Sequence, residues 1–380
     1  MEKYSVIILI TILQSSIFIA SEQPEYIPRD NITLNCGAPI DLLANAGRSW
    51  APEFPVPNSN TLSLLLQARN SFVSTSIRCL MNNMVDPRPF SLSKLIQRGR
   101  YWFSREICLN MKDNEVLDLV FTPSSSASND TYAFNNGIEN VSMPTNLYYT
   151  LPDSTYVPFV GQNYPFLVKN DTIIEMAYRL NVGAKPISHK DDTGLFRNSS
   201  NDYFYMTKNN YVTVNTSMLI NYTMIPRYTA PEMVYQTTQA MGPSLAYNEK
   251  HNLSWRLPMG SGFRYMVRLH FCEPKDLANS LGDQKFKVFI NSQTAKQNAD
   301  VIVWTVQGKV PIFKDYVVLV SKEYITIHAK YYDVILNGIQ VFKLSNSNGN
   351  LGKPNLELQV HNHLRIRPIL QVKNPRREAC

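Results

Sequence analysis

After its first twenty residues the chain has no run of eighteen apolar residues, which excludes a further helix crossing a bilayer and the hydrophobic tail that signals a lipid anchor. Motifs for bond-making chemistry are missing too. There is no V-A-I-K strand lysine, no H-R-D and no D-F-G, which removes phosphoryl transfer. Gly260 to Tyr265, "GSGFRY", begins like a phosphate loop but opens a strand pattern and lacks the third glycine. No G-x-S-x-G elbow accompanies the serines and histidines. His361-x-His363 has no third ligand nearby and reads as solvated tail, while His270 and His328 read as satisfied strand histidines. Asp191 and Asp192 read as part of the loop "DTGLFR" and not as an acid–base pair. Cysteine is scarce and odd in number: Cys36, Cys79, Cys108, Cys272 and Cys380 leave at least one thiol unpaired. No catalytic, metal or cofactor residue is assigned, and the chain reads as a binding protein.

What is present starts with Lys3, the apolar run Val6 to Leu13, then Ser15, Ser16 and Ala20, the layout of a secretory leader over residues 1–20. Export gives meaning to eight N-x-S/T acceptors: Asn31, Asn129, Asn140, Asn170, Asn198, Asn215, Asn221 and Asn252. The remaining length suits about two domains. A net charge of +7 favours acidic partners, which outside a cell are more often polyanionic glycans than nucleic acid.

The chain then repeats itself. "TLNCGAPI" at Thr33 returns as "RLNVGAKPI" at Arg179; "FSREICL" at Phe103 matches "FKDYVVL" at Phe313; "NNGIEN" at Asn135 matches "LNGIQV" at Leu336. Three anchors in one order indicate tandem copies of one domain. In the second copy, Phe263, Tyr265, Val267, Leu269 and Phe271 alternate with Arg264, Met266, Arg268 and His270, the period of a half-buried strand, and Phe286, Val288 and Ile290 continue it. Asn337-Gly338 between apolar runs predicts a type I′ hairpin. Many short strands predict an all-β fold of two tandem β-sandwich, jelly-roll-like domains.

The copies differ in length. Gly37 and Phe103 are 66 residues apart, Gly183 and Phe313 are 130 apart. The first copy, 26–150, is therefore expected to be truncated by several strands, with Ser71 to Gly99 anomalous and poorly ordered in place of counterparts to "GFRYMVRLHFCEP" and "QKFKVFIN". Residues 151–177 read as a connector, 178–344 as the intact second domain and 345–380 as a flexible basic tail. Thr172 and Glu175 have capping-box spacing, which predicts a short helix, and Pro231 opens a second candidate helix.

"YAFNNGIENVSMP", "YRLNVGAKPISHKDDTGLFR", "YTAPEMVYQTTQAMGP", "MVRLHFCEP", "ADVIVWTVQGKVPIFKDYVV" and "YYDVILNGIQVFKLSNSNGNL" together resemble the extracellular region of the plant malectin-like receptor kinases of the FERONIA type. The resemblance runs from Tyr26 to Leu351 except Ser71 to Gly99. It implies two malectin-like domains outside the plasma membrane, in the cell wall. It also implies partners: rapid alkalinisation factor peptides, a lipid-anchored LORELEI-like co-receptor and cell-wall pectin. The family's transmembrane helix and kinase have no counterpart in this sequence. Two rival readings stand beside the receptor ectodomain: a secreted pectin-binding module or decoy without signalling, and a degenerate gene remnant.

For ligand contact the residues singled out are Tyr203, Phe204 and Tyr205, three adjacent aromatics of which at least one should face solvent, and Arg264 and Arg268, which share a strand face open to a polyanion. Cys36 and Cys272 read first as free buried thiols, with a Cys36–Cys272 disulfide, which rests on no spacing rule, as the alternative.

Overall fold

The computed structural model describes residues 25–36, 42–43, 49–52, 62–67, 73–82, 102–111, 116–121, 137–150, 156–208, 211–241, 244–274, 285–330 and 334–355. The expected leader, Asn129, His361, His363, Cys380 and residues 356–380 of the expected tail lie outside them, while 345–355 of that tail are described, with Ser345 and Asn355 buried and hydrogen bonded to Ile173 and Arg264.

The first copy supplies β1 (Asn31–Asn35), β2 (Leu42–Leu43), β3 (Ser49–Pro52), β4 (Leu62–Gln67), β5 (Val73–Asn82), β6 (Trp102–Met111), β7 (Val116–Phe121) and β8 (Gly137–Met143). Two short strands of the connector follow, β9 (Val157–Pro158) and β10 (Pro165–Phe166). The second copy opens with β11 (Ile174–Asn181), β12 (Ser200–Asn201), β13 (Val212–Asn215), helix α1 (Glu232–Gln236), β14 (Thr237–Ala240) and helix α2 (Leu245–Asn248). It continues with β15 (Leu253–Pro258), β16 (Phe263–Phe271), β17 (Phe286–Ile290), β18 (Gln293–Ala299), helix α3 (Val301–Thr305), β19 (Ile312–Val320), β20 (Tyr324–Lys330), β21 (Ile335–Leu336) and β22 (Gly338–Leu344).

One large sheet runs β19-β16-β22-β11-β6-β5-β8-β1-β3-β2, with β12 beside β11. It contains the same antiparallel order twice. β19-β16-β22-β11 of the second copy corresponds to β6-β5-β8-β1 of the first, and the duplicated motif keeps its register: Leu34 faces Ile138 and Asn35 faces Gly137, as Leu180 faces Ile339 and Asn181 faces Gly338. The second layer is β15-β20-β17-β18, of which the first copy shows β4-β7. Alternation places Phe263, Tyr265, Val267, Leu269 and Phe271 in the core between the layers, with Trp255, Phe286, Val288 and Ile290.

Ser71 to Gly99 is corrected in part. Val73–Asn82 is a ten-residue central strand, paired along its length with β6 and over seven residues with β8; it is the counterpart of Phe263–Phe271. Long apolar alternation is not required of a strand held by ladders on both sides. Residues 83–101 lie outside the description, and only they separate β5 from β6, against 272–311 between β16 and β19. The larger part of the length difference falls earlier, 36–61 against 182–252. The register also moves one anchor: Arg105 and Glu106, facing Cys79 and Arg78, are equivalent to Lys314 and Asp315, facing Leu269 and Arg268, so the charged pairs and not Phe103 and Phe313 correspond.

Two further expectations are overturned by tertiary pairing. Thr172 and Glu175 do not open a helix: the following residues form β11, because ladders to β22 and β6 outweigh a local cap. Asn337-Gly338 is not a hairpin. β21 pairs with β14 and β22 with β11 and β16, so the chain changes sheets at Asn337. Asn337 is buried there, accepting from the Cys272 N–H at 2.8 Å and donating to the Thr237 carbonyl at 2.8 Å. Gly338 is needed for closeness, since a Cβ would stand 2.8 Å from Val234 Cγ1. Cys272 is a free thiol in an apolar cluster with Ile187, Val234 and Tyr235, and burial first, then Glu273, pushes it up to about 12. Cys36 packs against Ile138 in the first copy, so the alternative Cys36–Cys272 bridge is not formed. The Pro231 helix does form, but as five residues of α1 before the chain extends into β14.

The two copies meet where β6 pairs with β11 at Cys108–Ile174 and Ile107–Glu175. Arg179 donates to both Glu106 oxygens, at 2.8 and 3.1 Å, with both side chains nearly sealed from solvent. Arg105 reaches Glu175 at 3.1 Å on the more open side. Cys108, Val141, Met143 and Tyr148 of the first copy share an apolar cluster with Val157 and Phe159 of the connector and with Ile174 of β11, Met266 of β16 and Phe342 of β22.

Removing one partner of a buried ion pair strands the other charge. Glu106→Ala is expected to cost about 3–5 kcal/mol in urea unfolding; an unchanged midpoint would show that the junction carries no load. A second expectation concerns acid. His270 is fully enclosed, its Nδ1 2.9 Å from the Tyr235 hydroxyl, and burial, then Arg268 and Arg197, hold it well below its ordinary pKa. A lowered histidine stabilises above the unfolded value of 6.5 and loses that stability as pH falls toward the folded value. Stability should therefore decline below pH 6.5 by up to about 1.4 kcal/mol per unit from this group, and His270→Gln should flatten that slope.

Candidate functional site

The segment 182–252, which the first copy largely lacks, builds a groove of about 740 Å³ at one end of the second sandwich. Its walls come from the loop after β11 (Gly183 to Pro186), from Asn201 to Tyr203, from β13, and from α1 running into β14. Gly183 has φ +80°, and a Cβ would meet the Thr238 carbonyl carbon and oxygen at 2.8 Å, so glycine at 183 is a steric requirement of this turn. Asp202 anchors the opposite wall from beneath: its carboxylate accepts from the Gly183 N–H at 3.1 Å and from the Trp255 indole N–H at 2.9 Å. Burial raises its pKa, and the two hydrogen bonds work against that rise. Thr237 donates to Asn181 Oδ1 at 3.1 Å, and Asn181 Nδ2 donates to the Lys185 carbonyl at 2.9 Å, which holds the loop closed.

Tyr203 and Phe204 form a short 3-10 turn with Tyr205. They are 65% and 82% exposed and pack edge to face with centroids 5.5 Å apart. Tyr203 lines the groove beside Tyr211 and the amides and hydroxyls of Asn201, Thr213, Asn215 and Gln239. Tyr205 instead turns inward, edge to face on Tyr178 at 5.2 Å. Among the lining residues Asp202 is the sole carboxylate and is already hydrogen bonded, so the groove offers stacking surfaces and hydrogen-bonding groups and no acid–base pair. Gly183 to Pro186, β13 and Gln236 to Gln239 were not singled out as ligand contacts by sequence; the one signal was the Gly-Ala-Lys-Pro run, read only as a mark of duplication.

The expected polyanion face is corrected. Arg268 is 2% exposed: it grips Asp315 through two 2.8 Å bonds, donates to the Leu147 carbonyl at 2.8 Å and lies 3.8 Å from the Phe313 ring centre. The face it shares with Met266 and His270 is covered, by the connector and by α1, and is not solvated. Arg264 lies over Phe166 at 5.2 Å, away from the groove. Asp192 is likewise structural. It accepts from Arg197 at 2.8 and 2.9 Å; burial pushes its carboxyl up and the Arg197 contacts outweigh this, holding it below the usual range. His328 makes a cross-strand contact, Nδ1 to Ser254 Oγ at 2.6 Å, between β20 and β15.

Of the glycan acceptors, Asn31, Asn170, Asn198, Asn215 and Asn221 are exposed, and Asn252 is half-buried beside His328. Asn215 stands at the groove. Asn140 is corrected as an acceptor: it lies buried in β8 between β1 and β5, where a glycan would have no room.

Asp202→Asn keeps the volume but turns one acceptor oxygen into an N–H₂ facing an N–H donor. We expect a loss of about 1–3 kcal/mol in thermal unfolding at neutral pH. Full retention of stability would show that the carboxylate does not anchor the wall.

A family model described as a malectin-like domain matches residues 91–344. The receptor-like protein kinase FERONIA of Arabidopsis thaliana is 37% identical over 334 residues, 82% of this chain and 35% of that protein. The chain thus spans about a third of the length of the curated relatives it matches. The extracellular domain of ANXUR1 from Arabidopsis thaliana superposes with a TM-score of 0.71 at 26% identity, covering 86% of this chain and 99% of that one. A chain from the crystal structure of the plant peptide RALF23 in complex with FER and LLG2 gives 0.70 at 30% identity, over 86% and 98%. Among the described residues no helix is long and apolar enough to cross a membrane.

Proposed function

This chain belongs to the malectin-like domain family, and from that premise we propose that it is the ligand-perceiving part of a plant cell-surface receptor, working outside the plasma membrane. Its partner is a secreted peptide of the rapid alkalinisation factor type, met together with a LORELEI-like co-receptor. The observation that carries this reading is the joined pair of sandwiches: the same two-copy unit, over nearly its whole length, is what the FER chain presents in its complex with RALF23 and LLG2. Binding is by surface and involves no bond-making. The groove beside Tyr203 and Phe204 is the surface we assign to recognition, since exposed aromatics set beside fixed polar groups supply contact area at little entropic cost.

A second reading rests on the groove's own chemistry. Carboxamides and hydroxyls around two tyrosine rings suit a hydroxyl-rich saccharide, and the net charge of +7 favours cell-wall pectin over a neutral one.

Calorimetry of the purified chain with a rapid alkalinisation factor peptide, with and without the co-receptor, separates these readings. Peptide binding at micromolar or better, weakened about tenfold by Tyr203→Ala with Phe204→Ala, is expected. Absence of heat at micromolar concentrations, with retention on a pectin column that survives moderate salt, would favour the saccharide instead.

A further inference from the structure

Of the glycan acceptors, Asn215 is the one among the groove's lining residues, and its place in β13 sets the direction in which an attached sugar starts. Across the ladder to β14, Thr213 faces Gln239 and Asn215 faces Thr237, and all four line the groove. Val214 between them packs against the core of the sandwich instead. Side chains alternate along a strand, so Tyr211, Thr213 and Asn215 share the groove side. Tyr211 lies roughly 13 Å from Asn215 along the strand, within the length of a glycan core.

The attachment point is held in place. Asn215 is laddered to Thr237, and the Thr216 N–H that follows it donates to the Gln236 carbonyl at 2.9 Å. Asn215 itself is exposed, as is Ser217, the hydroxyl residue that completes its acceptor triplet. In the secretory pathway an Nδ2–H of such an asparagine is exchanged for a bond to the anomeric carbon of the glycan, whose lipid pyrophosphate carrier departs with the proton. Ahead of that bond lie the Thr213 hydroxyl, which donates to Gln239 Oε1 at 3.0 Å, and the Tyr211 ring, with Asn201 and Tyr203 on the facing wall. Groups of this kind hold a free sugar weakly. A tethered sugar meets them at an effective concentration on the order of millimolar, so weak contacts suffice.

We propose that the N-linked glycan of Asn215 folds back into the groove, its core laid along Thr213 and Tyr211 and facing Tyr203, as an occupant that any outside partner has to displace. Glycosylation at this one asparagine then sets the affinity of the groove, and losing or trimming it opens the surface. The inference rests on the reading of the groove as a surface that suits a saccharide.

The test uses the full chain secreted by cells in which mannose trimming is blocked, so that every occupied acceptor carries the same high-mannose glycan. The native protein is digested with an endoglycosidase that cuts within the glycan core, and each acceptor is followed by mass spectrometry of its proteolytic peptide. Cleavage at Asn215 should be at least about tenfold slower than at the exposed Asn31, Asn170 and Asn221, and equal to them after unfolding. Tyr203→Ala, at a side chain 65% exposed, should bring Asn215 to the rate of Asn170. Ser217→Ala removes the glycan without touching a lining residue. Free N,N′-diacetylchitobiose should then bind, read by saturation-transfer NMR, where the glycosylated chain excludes it, a gain that loss of folding cannot imitate. An Asn215 without glycan, equal native rates at Asn215 and Asn170, protection that survives Tyr203→Ala, or the same disaccharide signal with and without the Asn215 glycan overturns the proposal. Failure of a peptide or of pectin to bind moves none of these readouts, so the two ideas fail separately.

Discussion

The structure depends on a strand edge that could not be left open. β6 ends the sheet of the first copy, and an unpaired edge exposes a row of backbone donors and acceptors. β11 closes it, so two sandwiches share one continuous sheet and the junction is hydrogen bonded as well as packed. The ladder there is only two residue pairs long, and Glu106–Arg179 lies beside it. Burial works against the Arg179 charge and the nearby Glu106 more than offsets it. An ion pair in such a place adds little net stability compared with an apolar pair of the same shape, but it is intolerant of mispairing. It therefore fixes how one copy is set against the other.

Buried ion pairs recur wherever a loop or connector crosses a sheet. Arg268 with Asp315 ties β16 to β19 and, through the Leu147 carbonyl, pins the end of the first copy over the same face. Arg197 with Asp192 closes its own loop and donates to the carbonyls of Tyr228 and Thr229. Each guanidinium satisfies a carboxylate and main-chain carbonyls together, the use for which its planar fork of donors is suited. These arginines thus hold the scaffold, and none of them lines the groove beside Tyr203.

Among the described residues the groove belongs to the second copy. The two copies keep the same sheet register, so the same ends of the same strands are available in both. What differs is the chain spent between the first strand of each copy and its second layer. In the second copy this length becomes β13, α1, β14 and the Tyr203 turn, which together wall the groove, whereas the corresponding stretch of the first copy, 36–61, is much shorter.

Much of this was legible in the residues. Periodicity of two in Phe263 to Phe271, the repeated Leu-Asn-x-Gly-Ala and the order of the shared motifs determine a duplicated all-β fold, because inward-facing apolar residues must alternate whatever the partner strand is. The exposure of Tyr203 and Phe204 followed from simple crowding, since three adjacent aromatics cannot all point into one core. Other features were decided only by the assembled structure. Glu175 became strand and not helix because β6 and β22 flank it; Asn337-Gly338 became a passage between sheets because β14 and β16 claim the residues on either side; Arg268 became a buried clamp because a connector far away in sequence covers its face. Local propensity speaks for a few tenths of a kcal/mol per residue, whereas a ladder or a buried charge answers to partners a hundred residues away, and those partners are not written beside it.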